Sequence, residues 1–140
     1  MARVPAELRL TLRSGSVYYF VDRGLTSREP HFFIVVNREP LRDELLLLTV
    51  VTSQVEKVKR VRRMLPDTLV ELSPILYDEL TKDSMVDCNH VFSRTMKEFV
   101  ELFEQREIRH HKDIPKELLE KIREAIRNSP LVSLASKSLL

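Results

Sequence analysis

The chain has 140 residues, 43% of them apolar, which is enough for one domain with a buried core and at most a helical appendage. Its 23 Lys and Arg and 21 Asp and Glu leave a net charge of +2, so attraction to nucleic acid has to come from a local patch rather than from bulk charge. The one cysteine, Cys88, excludes an intramolecular disulfide and a cysteine-based zinc site, and two glycines are too few for a glycine-rich phosphate loop or a dinucleotide fingerprint, so no cofactor is expected.

Leu8, Leu10 and Leu12 alternate with polar residues before Ser14-Gly15, which predicts a short edge strand or a loose arm. Three apolar, β-branched or aromatic runs follow, at Val17 to Val21, His31 to Val36 and Leu45 to Thr52. Joined through Gly24 to Pro30 and Arg38 to Asp43, they predict three consecutive antiparallel strands. After Ser53 the period changes. Val55, Val58 and Val61 recur at helical spacing until Leu65-Pro66-Asp67, predicting a helix of about three turns. Thr68 to Leu72 reads as a strand, Ser73-Pro74 as the start of a short helix reaching Leu80, and Ser84 to Phe92 as a further strand.

Met96, Phe99, Val100 and Phe103 share one helical face, and Leu118, Leu119, Ile122, Ala125 and Ile126 share another within Pro115 to Asn128. Between them Arg106 to Lys112 is a short strand or a link. The expected organisation is one domain over residues 1–128 and a serine-rich tail over 129–140 that is either free or docked on a partner. Many short strands with helices between and after them predict a small, strongly bent antiparallel barrel, mainly β, with two C-terminal helices outside it. The N-terminus lacks the apolar core of a secretion signal, and Leu45 to Val51 is far shorter than the roughly 20 residues that span a bilayer. A cytoplasmic protein with no membrane association is expected, in keeping with the lone thiol.

The chemistry concentrates where the third strand meets the helix. Thr52-Ser53 delivers two hydroxyls to a segment holding Lys57, Lys59, Arg60, Arg62 and Arg63, and a helix start with nearby cations suits a phosphate. Ser53-Gln54-Val55-Glu56 also has the form of a capping box, which makes Ser53 a structural cap and leaves Thr52 for function. The basic run is either a solvated face or a nucleic-acid contact. Tyr18, Tyr19, Phe20, Phe32 and Phe33 are core residues or stacking surfaces for unpaired bases. Asp87 and Asn89 fall on the strand face opposite His90, and His110-His111 lacks the spacing of a helical zinc pair, so no metal site is expected.

Four segments, in order, resemble the PemK/MazF-like toxins of bacterial toxin–antitoxin pairs. They are Gly15-Ser16-Val17-Tyr18-Tyr19-Phe20, Pro30 to Asn37, Leu48 to Gln54 with its Thr-Ser ending, and Ser84 to Val91. The resemblance implies an SH3-like barrel of the CcdB/MazF type, commonly a homodimer, that cleaves single-stranded RNA without a metal and is bound by a protein antitoxin. It assigns Thr52 to orienting the attacking 2′-hydroxyl. The family places an Arg directly before the second strand, where this chain has Pro30 and then His31. Arg28 is the nearest guanidinium for the phosphate, and His31 offers an acid or base near neutral pH. On this reading the catalytic set is Arg28, Thr52 and His31, with Ser53 and the five basic side chains contacting RNA. The rival reading is a catalytically degenerate barrel that binds nucleic acid or a protein.

Overall fold

The computed structural model describes residues 3–25 and 28–140, so residues 1 and 2 of the N-terminal arm and 26 and 27 of the first connection lie outside the described residues. The elements run α1 (Ala6–Thr11), β1 (Val17–Phe20), β2 (His31–Val35), α2 (Pro40–Asp43), β3 (Leu45–Thr52), α3 (Val55–Val61) and a 3-10 turn (Pro66–Thr68). They continue with β4 (Leu69–Leu72), β5 (Ser84–Thr95), α4 (Met96–Glu104), β6 (Arg109–His111), α5 (Lys116–Asn128) and α6 (Leu134–Lys137). The strands form one six-stranded antiparallel sheet in the order β4-β5-β3-β2-β1-β6.

The sheet is open, which corrects the expected closed barrel: β4 and β6 are its edges, and no hydrogen-bonded ladder joins them among the described residues. Closure would require a shared ladder, and the short edge strands, four and three residues long, are instead flanked by helices and turns. One face carries Val17, Ile34, Leu47, Val51 and Val86 against Leu118, Leu119, Ile122 and Ile126 of α5. The other carries Tyr18, Phe20, Phe33, Val35, Leu46 and Leu48 against Leu8 of α1, Leu12 just after it, and Met96, Phe99 and Val100 of α4. Helices therefore cover both faces, and strand alternation sorts the apolar side chains between two cores.

The first expected strand is a helix. Leu8 and Leu12 are buried while Leu10 is 77% exposed, so the working spacing is i,i+4 and not i,i+2. Gly15, at φ +92°, turns the chain from α1 into β1 in a conformation that favours glycine. The short helix expected from Ser73 to Leu80 is a run of turns, in which Ser73 accepts the N–H groups of Leu76 and Tyr77 without propagating a helix. The segment over residues 129–140 folds back onto its own sheet. Val132 and Leu140 join the α5-side core, and Arg38 donates its N–H to the Leu139 carbonyl at 2.9 Å. No helix among the described residues is long and apolar enough to cross a membrane.

β5 carries a bulge that decides the shape of one end of the sheet. Between the Thr49–Val91 and Val51–Val86 pairs, β3 advances two residues and β5 advances five. The extra residues of β5 bend it sharply, as bulges do, and they are held by a polar hub. Asp87 Oδ1 accepts from the Asn89 backbone and side-chain amide, at 3.1 and 2.8 Å, and Asp87 Oδ2 accepts from Arg62 Nε at 3.0 Å. Asn89 also donates to Thr68 Oγ1 at 2.7 Å and accepts from Ser129 Oγ at 2.6 Å. Asp87 and Asn89 thus tie α3, the 3-10 turn and the C-terminal segment to the bulge.

Candidate functional site

A cleft of about 850 Å³ opens at this bent end of the sheet. Its walls come from the end of β2 (His31, Phe32), the end of β3 with the turn after it (Val50 to Gln54), α3 (Lys57, Val58, Val61), the segment before β5 (Glu79 to Lys82) and β5 itself (Ser84, Asp87, His90).

Register explains why His31 and Thr52 meet there. The β2–β3 pairs Phe33–Val50, Ile34–Thr49 and Val35–Leu48, continued by two residues, set His31 opposite Thr52 on the face that carries Phe33. His31 Nδ1 lies 2.9 Å from the Glu29 carbonyl. A carbonyl only accepts, so Nδ1 carries the proton in that bond and the neutral ring keeps Nε2 as a lone-pair base. Thr52 Oγ1 accepts the Gln54 N–H at 3.1 Å, closing a hydroxyl turn between strand and helix, and its own O–H remains a donor.

The capping box expected at Ser53 is not formed. The N-cap is Gln54, no side chain caps α3, and Ser53 is exposed. Thr52 supplies the turn-closing bond assigned to Ser53, so both hydroxyls face the cleft and one of them also holds its rim. α3 spans seven residues, about two turns, and buries none of its residues. Its valines line the cleft at Val58 and Val61 and do not enter the core, and its seven residues fall short of the three turns expected.

The basic run divides. Lys57 reaches the cleft wall and makes no ion pair among the described residues. Lys59 pairs with Glu71 at 3.2 Å and Arg62 with Asp87 at 3.0 Å, so their charge is partly spent within the fold. Arg60 and Arg63 are exposed and outside the cleft lining. Arg28 is also exposed and does not line the cleft, although the next two residues, Glu29 and Pro30, do. The connection that carries it is rooted by Arg94, whose Nε and Nη2 donate to the two oxygens of buried Asp22 at 3.0 and 2.5 Å. Gly24 leaves room for that pair, since a Cβ there would lie 2.6 Å from Arg94 Nη2 and push the guanidinium aside.

The aromatic residues split as strand alternation dictates. Tyr18, Phe20 and Phe33 are buried, while Tyr19 and Phe32 are half-buried, line the cleft and contact each other with ring centroids 4.8 Å apart. They are the rings available for stacking a base. Among the charged and titratable cleft residues, His90, Glu79 and Lys82 are not singled out for function by the sequence. His90 was set apart by strand parity, which the bulge breaks, and Glu79 sits in turns read as helix. Among the described residues no group of three or more His, Cys, Asp or Glu side chains is placed to hold a metal ion.

Fold and cleft define a class: an open, strongly bent antiparallel sheet with helices on both faces and a polar, part-aromatic cleft at one end. A solved structure described as an endoribonuclease in complex with its cognate antitoxin, from a mycobacterial species, shares that fold. The TM-score is 0.51 over 83% of this chain and 89% of that one, with 15% of residues identical. At that identity the likeness is one of fold. No protein-family model and no curated protein sequence matches the chain.

Proposed function

We propose that this chain is a PemK/MazF-type toxin, an endoribonuclease that cleaves single-stranded RNA in the cytoplasm without a metal ion and is held in check by a protein antitoxin. The observation that carries the reading is the convergence of His31, Thr52, Ser53 and Lys57 on one cleft beside the half-exposed rings of Tyr19 and Phe32. The shared fold with an endoribonuclease bound to its antitoxin supports it and motivates the partner. A second copy of the chain is the further partner that this reading implies.

The residues suit attack by a ribose 2′-hydroxyl on its own 3′-phosphate. His31 Nε2 takes the proton of the 2′-hydroxyl, and the Thr52 O–H orients the attacking oxygen. Lys57 in the wall, with Arg28 approaching from the rim, offsets the extra negative charge on the phosphorane oxygens. The products are a 2′,3′-cyclic phosphate and a free 5′-hydroxyl. Because the nucleophile belongs to the substrate, no metal-bound water is needed to supply one.

A second reading, a barrel-like module that binds RNA or a protein without cutting, is favoured by one observation: Arg28 stands outside the cleft while Arg62 is tied to Asp87. Induced expression of the wild type and Thr52→Ala separates the two. Growth arrest with shortened total RNA for the wild type, and neither for Thr52→Ala, is the expected result. A wild type that leaves growth and RNA intact yet binds RNA with strong salt dependence would establish the binding module instead.

A further inference from the structure

The cleft holds a second imidazole that the reaction above leaves unused. His90 lies on β5, next to β3 on the side opposite β2, so Thr52 stands on the strand between the two that carry His31 and His90. Phe92 pairs with Leu48 and Phe33 with Val50, which places both rings on one face of the sheet; alternation puts His31 on that face, and the ring contact with Phe92 brings His90 beside it. The ring contacts trace the same row. His31 meets Phe33 at 6.4 Å, Phe33 meets Phe92 at 5.7 Å, and Phe92 meets His90 at 5.5 Å between centroids. His90 is exposed, makes no ion pair among the described residues, and lines the cleft from the bulged stretch of β5.

We propose that His90 is the general acid of the cleavage, protonating the departing 5′-oxygen while His31 removes the proton of the attacking 2′-hydroxyl. This rests on the endoribonuclease reading and adds the half-reaction that reading lacks. The 2′-oxygen–phosphorus bond forms as the phosphorus–5′-oxygen bond breaks. One proton moves from the 2′-hydroxyl to His31 Nε2 and another from the His90 imidazolium to the 5′-oxygen, so charge and atoms balance without a further reactant. In-line displacement requires the attacking and leaving oxygens on opposite sides of the phosphorus. His31 and His90 line the cleft from the two strands on either side of β3, so the base and the acid approach the phosphate from different sides of that strand. The charged and titratable groups lining the cleft with His90 are Glu29 and His31 from the β2 side, Lys57 from α3, Glu79 and Lys82 from the turns, and Asp87 on its own strand.

The test compares an ordinary RNA oligonucleotide with one that carries a bridging 5′-sulfur at the cleaved step, because a thiolate leaves without being protonated. His90→Gln is expected to cut the oxygen substrate roughly a hundredfold or more slowly than wild type, within the range of general acid catalysis, and the sulfur substrate at close to the wild-type rate. Near-normal sulfur cleavage also shows that the variant is folded. His31→Gln is expected to be slow on both. A general acid must be protonated to act, so His90→Gln loses the fall in rate at high pH and keeps the fall at low pH that His31 causes. An equal loss on both substrates, or no loss on either, overturns the acid role while leaving the endoribonuclease reading standing. A wild type that cuts neither overturns both.

Discussion

Thr52 uses one oxygen for two tasks: a lone pair closes the turn on Gln54, and the O–H is left for substrate. Thr52→Ser keeps both and is expected to retain RNA cleavage within a few fold, whereas Thr52→Ala is expected to lose most of it and about 1 kcal/mol of stability, read by gel assay and denaturant melts. Thr49, on the same strand, is fully buried, and its Oγ1 has no hydrogen-bond partner among the described residues. Thr49→Val removes that hydroxyl at nearly constant volume and is expected to stabilise the protein by about 1 kcal/mol in urea unfolding. Burial pushes the Tyr18 hydroxyl from 10.0 up to about 12. The folded state therefore holds this proton more tightly than the unfolded chain, so the stability it contributes is full below about pH 10 and is lost as pH rises towards 12. Thermal melts across that range check the sign, with Tyr18→Phe as the reference that shows a smaller loss because the buried Tyr77 and Cys88 remain. At this scale the strand end and the helix after it marked Thr52 and Lys57, the family resemblance marked His31, and all three line the cleft. The sequence hid His90, because a bulge changes strand parity and its cause is a contact between distant residues.

At the scale of elements, the best-formed cap is one the pattern did not single out. Thr95 accepts the Glu98 N–H at 3.1 Å, and Glu98 accepts the Thr95 N–H at 3.0 Å, a reciprocal capping box at the start of α4. The Thr95 backbone and hydroxyl donors hold the Glu98 carboxyl below its ordinary range. A depressed carboxyl contributes stability above the ordinary range and loses it as pH falls through its folded value. Thr95→Ala is expected to cost about 1 kcal/mol at neutral pH and less in acid. Ser53 to Glu56 has the same residue types at the same spacing and forms no cap, since Thr52 claims the turn one residue earlier. Local sequence specifies that a cap is possible; the path of the preceding strand decides whether it forms. α4 and α5 were legible from their apolar faces, and α1 was not, because Leu8, Leu10 and Leu12 fit period two as well as Leu8 and Leu12 fit a helix. Asn89 is the element-level tie: truncation by Asn89→Ala leaves Thr68, Asp87 and Ser129 short of partners. A loss of roughly 1–3 kcal/mol is expected in denaturant melts, together with weaker RNA cleavage as the bulge that presents His90 relaxes.

For the whole molecule, the antiparallel strands and the helices after them could be read from periodicity, while the open sheet, the two-sided core and the docked C-terminal segment could not. Each of those depends on which surfaces meet, and single-sequence periodicity states only which side of an element is apolar. The same limit applies to the cleft. Its hydroxyls and cations were visible in chain order, but the pairing of Arg62 with Asp87, which consumes part of the basic run, depends on residues 25 apart in sequence. The account therefore rests on a cleft that is only modestly basic and that would act through two imidazoles and a hydroxyl more than through a field of arginines. The most direct measurement incubates purified protein with mixed-sequence single-stranded RNA in excess chelator and identifies the new ends. Cleavage that leaves 2′,3′-cyclic phosphates and 5′-hydroxyls, abolished by Thr52→Ala, is the predicted result. Intact RNA with a wild type that is shown to be folded, or cleavage leaving 5′-phosphates, would contradict it.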